Sequence, residues 1–501
     1  MIVPRLRCGA WAIGLAFVLI VLCFARPARA HVGSPNVFYV GDAGPYHLFV
    51  TVMVPQVIPG IAEVEVRTSS DQVSEVSTVV TRLSGAGSRY SPVPDQAHRS
   101  PVDPHLFTSS VWLMEYGSLR ILLKVGGSRG DAQLSVPVAS FARQGLPMPR
   151  WLGALLLAVT AGLAVGAISI VGAAARDSRL PPGATPDDRS RHRGRAAMAV
   201  TAVIVVGIFY LAFAWWDADA RDHARLTRRF KAPPVALTLE EDRRLKLTAT
   251  DPVWVKYRIM DNLLPDHGHL MHLFLIRTPA FDRFWHLHPV HTEDGNFEVN
   301  LPQLDAGRYR VFADIVDESG FPWTLVGTID LPQIKGVALS PDDSGGSFAP
   351  LAENGSASAT DVLRDGTRVV WKHDLLEKNV PLDLRFSVEN ADGSPVRDME
   401  PYMGMAAHLE IVRSDLSVFA HIHPSGSAPM AAVMLANGET EASGAPSVMS
   451  MPNDTQMTMP AQVEPELSMP YGFPRRGAYR IFVQFKRGNR IETAVFDTQV
   501  H

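Results

Sequence analysis

His272–Pro289 reads HLFLIRTPAFDRFWHLHP and His408–Pro424 reads HLEIVRSDLSVFAHIHP. Each stretch opens on a histidine that heads a strand-like run and closes on His-x-His-Pro. Alternation along a strand puts His286 and His288 on one face with Phe284, and His421 and His423 on one face with Phe419. If the first stretch is a hairpin turning at Thr278–Asp282, His272 falls opposite His288. The turn of the second is one residue shorter, which keeps His408 opposite His423. Directly opposed residues have Cβ atoms roughly 5 Å apart, and i,i+2 neighbours roughly 7 Å. Three imidazoles in each stretch could therefore converge on one ion through metal–nitrogen bonds of about 2 Å.

The likeness between the two stretches continues downstream, where Gly307–Phe312 (GRYRVF) matches Gly477–Phe482 (GAYRIF). Blocks that share polar as well as apolar residues in one order mark an internal duplication. The pattern predicts one β-sandwich repeat at 235–332, a Gly/Ser/Asp/Pro-rich linker at 333–360 and a second repeat at 361–501. Strand candidates in the first repeat are Trp254–Ile259, Leu270–Arg277, Arg283–His288 and Arg308–Val316. The second repeat carries an insertion, 425–470, in which seven of the chain's 17 methionines lie among Pro, Ser, Ala and Gly. Such a composition builds no core of its own, so a mobile loop is expected there.

Upstream, Tyr46–Val54 and Ala62–Arg67 alternate with period two, and Ser110–Tyr116, Leu119–Val125 and Ala132–Val138 continue at sandwich-like spacing. A further β-sandwich is expected at 31–148. Two uncharged runs follow, Trp151–Ala175 and Ala196–Trp216, each longer than the ~20 helical residues that cross a bilayer. Between them, 176–195 holds six arginines and belongs on the cytoplasmic side, with both flanking regions outside. Ala158, Gly162 and Gly166 form a small-residue row suited to close helix approach, most simply by the second span. The fold class expected is mainly β: three extracytoplasmic β-sandwich domains, immunoglobulin- or cupredoxin-like, plus two transmembrane α-helices.

At the N-terminus Arg5 and Arg7 precede an apolar stretch that ends at Ala28-Arg29-Ala30, which reads as a secretory signal peptide at 1–30 cleaved before His31. An uncleaved signal anchor is the other reading. Both cysteines, Cys8 and Cys23, fall inside it, so disulfides, Fe–S clusters, thiolate zinc sites and cysteine nucleophiles are not expected in the mature protein. The net charge of −4, from 47 basic and 51 acidic residues, gives no excess with which to neutralise a phosphate backbone. Nucleic-acid binding is therefore disfavoured.

Histidine and methionine are left to carry the chemistry. Imidazole suits copper, zinc and nickel, whereas a thioether selects Cu(I). Met403-Gly404-Met405 lies just before His408, and Met449, Met451, Met457 and Met459 lie in the insertion. A His/Met set without cysteine favours copper; zinc is the alternative, above all for the first repeat, where His267, His269 and His291 add imidazoles. The candidate metal ligands are His272, His286, His288, His408, His421, His423, Met403, Met405 and His31. A mature N-terminal His31 could chelate Cu(II) through its α-amine and ring. With no nucleophile–base pattern, phosphate loop or HExxH sequence, an enzyme is not expected. The alternatives are an envelope scaffold whose histidines only brace strand ends, and a copper-dependent oxidase built on His31.

The phrases HLMHLFLIR, FWHLHP and GRYRVFADIV, with YMGMAAHLEIVR, VFAHIHPSG and GFPRRGAYRIFVQFKR, resemble uncharacterised extracytoplasmic domains of bacterial membrane proteins often considered alongside copper-handling factors. More distantly, an N-terminal His on a β-sandwich is similar to the CopC carriers, and the later repeats are similar to YtkA-like or FixH-like sandwiches. The resemblance implies an envelope protein but no established activity. With the spans and the arginine-rich loop, the expectation is an inner-membrane protein whose N- and C-terminal domains are periplasmic, with the lipid bilayer and another envelope protein or a metal chaperone as partners.

Overall fold

A computed structural model describes residues 34, 36–85, 92–143, 148–181, 183–228, 230–241, 243–293, 295–352, 359–373, 375–438 and 463–501. The predicted signal peptide, His31, Met449, Met451, Met457 and Met459 lie outside them. The chain is mainly β, with several sheets and two long apolar helices.

In the N-terminal part the strands are β1 (Val37–Ala43), β2 (Tyr46–Met53), β3 (Gly60–Thr68), β4 (Val73–Arg82), β5 (Leu106–Leu113), β6 (Gly117–Gly127) and β7 (Ala132–Ser140). One sheet runs β1-β2-β3-β5 and the other β4-β6-β7, each with a two-residue strand at its edge. Strict alternation in β3 sends Ala62, Val64 and Val66 into the core between them.

The apolar runs form α1 (Arg150–Asp177) and α2 (Asp188–Arg228), both long and apolar enough to cross a membrane. Their close approach is at Gly172 and Gly194, where a Cβ on Gly194 would lie 3.0 Å from the Gly172 carbonyl. The expected row at Ala158, Gly162 and Gly166 does not serve this contact: the space beside Gly162 and Gly166 is open. Past its apolar part α2 continues as a charged helix, and Arg228 at its end is paired with Asp251 at 2.9 Å.

The first repeat contains β8 (Val235–Glu240), β9 (Arg244–Ala249), α3 (Pro252–Lys256), β10 (His272–Thr278), β11 (Arg283–Leu287), β12 (Phe297–Asn300), β13 (Gly307–Asp317), β14 (Pro322–Leu331) and β15 (Ser344–Ser347). Two expectations change here. Trp254–Ile259 is not a strand, because Asp251 caps the Val253 N–H at 2.8 Å and Pro252 takes the first helical position, which starts a helix that buries Trp254 against Trp323. The linker at 333–360 contributes β15 to the edge of β11, where Gly345 lies so close over Trp285 that a Cβ would stand 2.4 Å from its ring.

The second repeat contains β16 (Thr360–Val362), β17 (Arg368–Lys372), β18 (Leu382–Glu389), β19 (His408–Arg413), β20 (Phe419–Ile422), α4 (Met430–Asn437), β21 (Glu466–Tyr471), β22 (Gly477–Arg487) and β23 (Arg490–Val500). The 425–470 insertion is thus not loop throughout. Pro429 and Gly438, the latter at φ +76°, bound α4, and β21 pairs with β18 and buries Met469 in the core.

The repeats pack sheet against sheet. In β10 the odd-numbered Leu273 and Leu275 enter the repeat's own core, while Phe274 and Ile276 face the other repeat. In β19 Leu409 and Ile411 point inward in the same way, and Val412 faces across. The contact obeys a pseudo-two-fold axis: Phe284 stacks on Phe482 at 4.1 Å, and the equivalent pair, Phe312 and Phe419, stacks at 4.2 Å. Each such pair contributes roughly 0.5–1.5 kcal/mol beyond its buried area.

The N-terminal part is clamped to this unit through the residues that follow His423-Pro424. The Val40 N–H donates to Ser425 O at 2.8 Å and the Ser427 N–H to Phe38 O at 2.9 Å. Gly426, at φ +124°, sits between them where a Cβ would lie 1.9 Å from Phe38 O. Gly426→Ala is therefore expected to separate β1 from the second repeat, with backbone strain alone costing about 1–3 kcal/mol. A lowered thermal midpoint together with new protease cleavage near residue 427 would show it; an unchanged melt would count against the clamp.

Candidate metal centre

The hairpin register expected from the sequence is the one observed. Leu273 faces Leu287 and Phe274 faces His286 in β10/β11, while Leu409 faces Ile422 and Glu410 faces His421 in β19/β20. Both His-x-His pairs project from their sheets beside the leading histidine. Ring centroids lie 5.3, 4.9 and 4.7 Å apart for His272–His286, His272–His288 and His286–His288. The equivalent separations in the second repeat are 5.4, 5.1 and 4.6 Å.

What the sequence did not indicate is that the two sets meet. His272 and His421 are 5.3 Å apart across the interface, and His286 and His421 are 5.6 Å apart. The six imidazoles, joined by His267 and His269, form one assembly that continues from the phenylalanine cluster, with Phe274 5.1 Å from Phe419 and stacked on His286 at 4.4 Å.

Proton positions in the first triad follow from its partners. His272 Nε2 lies 3.0 Å from the Asp266 carbonyl, His288 Nδ1 2.9 Å from Asp343 Oδ1, and His286 Nδ1 2.9 Å from Gln484 Oε1. Gln484 Nε2 donates to Ser344 Oγ and, at 3.3 Å, to Thr493 Oγ1, which turns its Oε1 to His286. Each neutral ring must spend its single N–H on that acceptor. The remaining nitrogens, His272 Nδ1, His286 Nε2 and His288 Nε2, are bare lone pairs, with His272 Nδ1 only 3.0 and 3.2 Å from the other two. Three nitrogens around one tetrahedral ion at 2.0–2.1 Å sit roughly 3.3 Å apart. A shared cation turns this lone-pair repulsion into attraction, and the Asp–His pairing behind it is the arrangement that orients imidazole ligands.

The second set differs in membership. His267 reaches over from the first repeat to bring its Nε2 within 3.2 Å of His423 Nε2, and with His408 these three offer nitrogens within 4.8 Å of one another. Among the described residues both nitrogens of His408, Nε2 of His421, Nδ1 of His423 and both carboxyl oxygens of Glu410 are buried without a hydrogen-bond partner. Polar atoms in such a state cost on the order of 1–3 kcal/mol each, more when charged. Their concentration in one place gathers the unpaired polar chemistry of the interface around His408 and Glu410.

The electrostatics of the cluster are set by burial. Burial pushes the imidazoles of His272, His286, His408, His421 and His423 well below the usual histidine value, so they are neutral at neutral pH and able to ligate an ion. Burial pushes the carboxyls the other way, Glu410 well up and Asp314 to about 7. Glu410 Oε1 is 3.8 Å from His286 Nδ1, and Asp314 Oδ2 is 3.7 Å from His421 Nδ1.

Met403 and Met405 lie in a turn, Tyr402–Met405, that is half-buried at the edge of the assembly. Of the side chains that meet the imidazoles, Glu410, Asp314, Gln484 and Asp343 carry no signal in the spacing of the histidines, although Glu410 shares a strand face with His408 by the same alternation. A cavity of about 160 Å³ reaches the assembly, with Asp266, His272, Asp314, His421 and His423 in its wall and apolar residues of all three β regions, including Val37, Trp323 and Ala432, around the rest.

Residues 360–501 match a family model described as a domain of unknown function, DUF8832. No curated protein matches the chain. Among solved structures, the Escherichia coli adhesin FdeC is 10% identical, with 94% of this chain and 98% of that chain covered at a TM-score of 0.14. The Escherichia coli alpha-2-macroglobulin is 8% identical over 92% of this chain and 23% of that one, at 0.21. A membrane-anchored protein from Corynebacterium diphtheriae is 8% identical over 93% and 96%, at 0.14. Similarity this low carries no argument about fold or function.

Proposed function

We propose that this chain is a membrane-anchored, extracytoplasmic metal-binding protein that handles copper for storage, transfer or sensing, with zinc as the alternative ion. On this reading three β-sandwich domains stand on the periplasmic side of the inner membrane and the two apolar helices anchor them. The observation that carries the reading is the convergence of three imidazole lone pairs, on His272, His286 and His288, whose other nitrogens are all engaged by acceptors. The partnerless atoms of His408, His421, His423 and Glu410 support it from the other half of the interface. The cysteine-free His/Met donor set favours copper. The cavity beside His272, His421 and His423 supplies a route by which an ion reaches the buried nitrogens.

Linkage gives the test. An ion that binds only the folded chain stabilises it by about 2.7 kcal/mol at 100 times its dissociation constant. Detergent-solubilised protein is expected to melt several degrees higher with Cu(II) or Zn(II) at pH 7.5. His272→Asn combined with His288→Asn should abolish most of that shift, and melting of the wild type that is indifferent to both ions would sink the proposal. Topology is checked separately: reporter fusions at Gly183 and Gly345 should report opposite sides of the membrane, and the same side for both would refute the anchoring arrangement.

A further inference from the structure

The pair Asp266-His267 faces three ways. The Asp266 carbonyl accepts from His272 Nε2 of the first triad at 3.0 Å, and its carboxyl Oδ1 accepts the Ala431 N–H in the first turn of α4 at 2.8 Å. The His267 ring crosses the repeat interface, with its Nε2 3.2 Å from His423 Nε2 and its centroid 5.1 Å from that of His408. The turn that carries it has φ of 50° at His267 and 86° at Gly268. The corresponding turn of the second repeat, Tyr402–Met405, repeats this backbone with 48° at Met403 and 76° at Gly404, so the conformation does not itself call for histidine. What histidine adds at 267 is a ring nitrogen beside the other repeat's pair.

His267, His408 and His423 offer nitrogens within 4.8 Å of one another, and none of them belongs to the set of His272, His286 and His288. The 3.2 Å contact is close to the roughly 3.3 Å that separates two nitrogens on one tetrahedral ion. His408 is wholly buried, and among the described residues neither of its nitrogens has a hydrogen-bond partner. A buried ring in that state costs stability unless something takes its lone pair.

His423 also begins the clamp on the N-terminal part. Its N–H donates to Gly426 O at 2.9 Å and the Gly426 N–H returns to its carbonyl at 2.8 Å, while Gly426 is bridged to Tyr39 of β1. Past this turn Ala428 and, in α4, Val433 enter the core of the N-terminal part, and Arg120 of β6 donates to Ala436 O at 3.0 Å. The segment that supplies a ligand is thus the segment that docks the N-terminal strands.

We infer that His267, His408 and His423 hold a second metal ion across the two repeats, and that this ion fastens the clamp on the N-terminal part. The inference rests on the metal-binding reading above and deepens it by naming how occupancy is read out. A ligand shell drawn from both repeats is complete only while they are docked, and the His423–Gly426 turn passes the restraint to β1. By linkage, the factor that docking adds to ion affinity is the factor that the ion adds to docking. Ion binding is thereby converted into a change of contact between β regions, which is the output that sensing requires.

The test uses the full chain in detergent micelles at pH 7.5, stripped of metal, with Zn(II) as a redox-inert probe. The wild type should retain two Zn(II) per chain. Hydrogen–deuterium exchange of peptides covering 37–41 and 425–428 should be slower by roughly fivefold or more in the two-Zn(II) protein than in the metal-free one. His267→Asn, at a half-buried position where asparagine tolerates the positive φ, should weaken the second Zn(II) by roughly tenfold or more and lose the slowing, with the first triad still loaded. One Zn(II) per chain in the wild type, two held undiminished by His267→Asn, or clamp peptides that exchange alike with and without Zn(II) would each overturn this inference while leaving metal binding at the first triad intact. Failure of the wild type to retain any Zn(II) would overturn both.

Discussion

Lowering the pH from 6.5 to 5.5 is expected to destabilise the metal-free protein. Burial, the largest cause in every case, holds the folded-state values of His267, His272, His286, His288, His408, His421 and His423 below the ordinary 6.5. A histidine depressed in the folded state stays neutral there while the unfolded chain takes up its proton. Its contribution is therefore present above pH 6.5 and lost as the pH falls below that value. Asp266, Asp314 and Glu410 act oppositely, since burial raises them and the folded chain keeps their protons over part of the same window. Seven imidazoles act against three carboxyls, so the imidazoles set the sign and stability falls as the pH is lowered through this window. Urea midpoints at pH 7.5, 6.5 and 5.5 read this directly. A flat profile across that range would mean that the histidines are solvated and the interface is open.

Arg480→Met is expected to cost about 3–5 kcal/mol, because it strands a buried partner rather than removing a surface pair. Arg480 is 2% exposed and binds both oxygens of Asp497, at 2.6 and 2.7 Å, from within its own repeat. Its remaining N–H groups donate to the carbonyls of Phe281 and Ala349 across the interface, each at 2.7 Å. The truncation leaves the Asp497 carboxylate with only the Ala352 N–H, at 3.0 Å on Oδ2, and two carbonyls without the Arg480 donor at the phenylalanine end of the contact. Asp497→Asn in the same chain should recover part of the loss, since it removes the stranded charge but not the orphaned carbonyls. A single variant that melts like the wild type would show that the repeats do not dock as described.

The parts of this architecture that were legible in the sequence are those set by local geometry. Turn lengths fixed the hairpin registers, and alternation fixed which histidines share a face. Block matching revealed the duplication, and uncharged runs revealed α1 and α2. What escaped is what depends on the second buried face of β10 and β19. Alternation indicates which residues are alike, not what stands across from them, so His267 completing the other repeat's set could not be read from spacing. The same holds for Gln484 and Asp314, each of which serves a histidine of the opposite repeat. Trp254–Ile259 was misread because its apolar content outweighed the Asp251-Pro252 helix start. Ser344–Ser347 was misread because a Gly/Ser run signals a linker unless a tryptophan such as Trp285 needs bare backbone laid upon it.

On the proposed function, buried imidazoles of the two repeats ligate a metal ion. The most direct test is X-ray absorption at the zinc or copper edge on full-length protein loaded with one equivalent and freed of excess ion. The expected result is retained metal with a shell of three to four nitrogens at about 2.0 Å and the multiple scattering of imidazole rings. Metal lost on removal of the excess, or held in an oxygen shell without imidazole scattering, would contradict it.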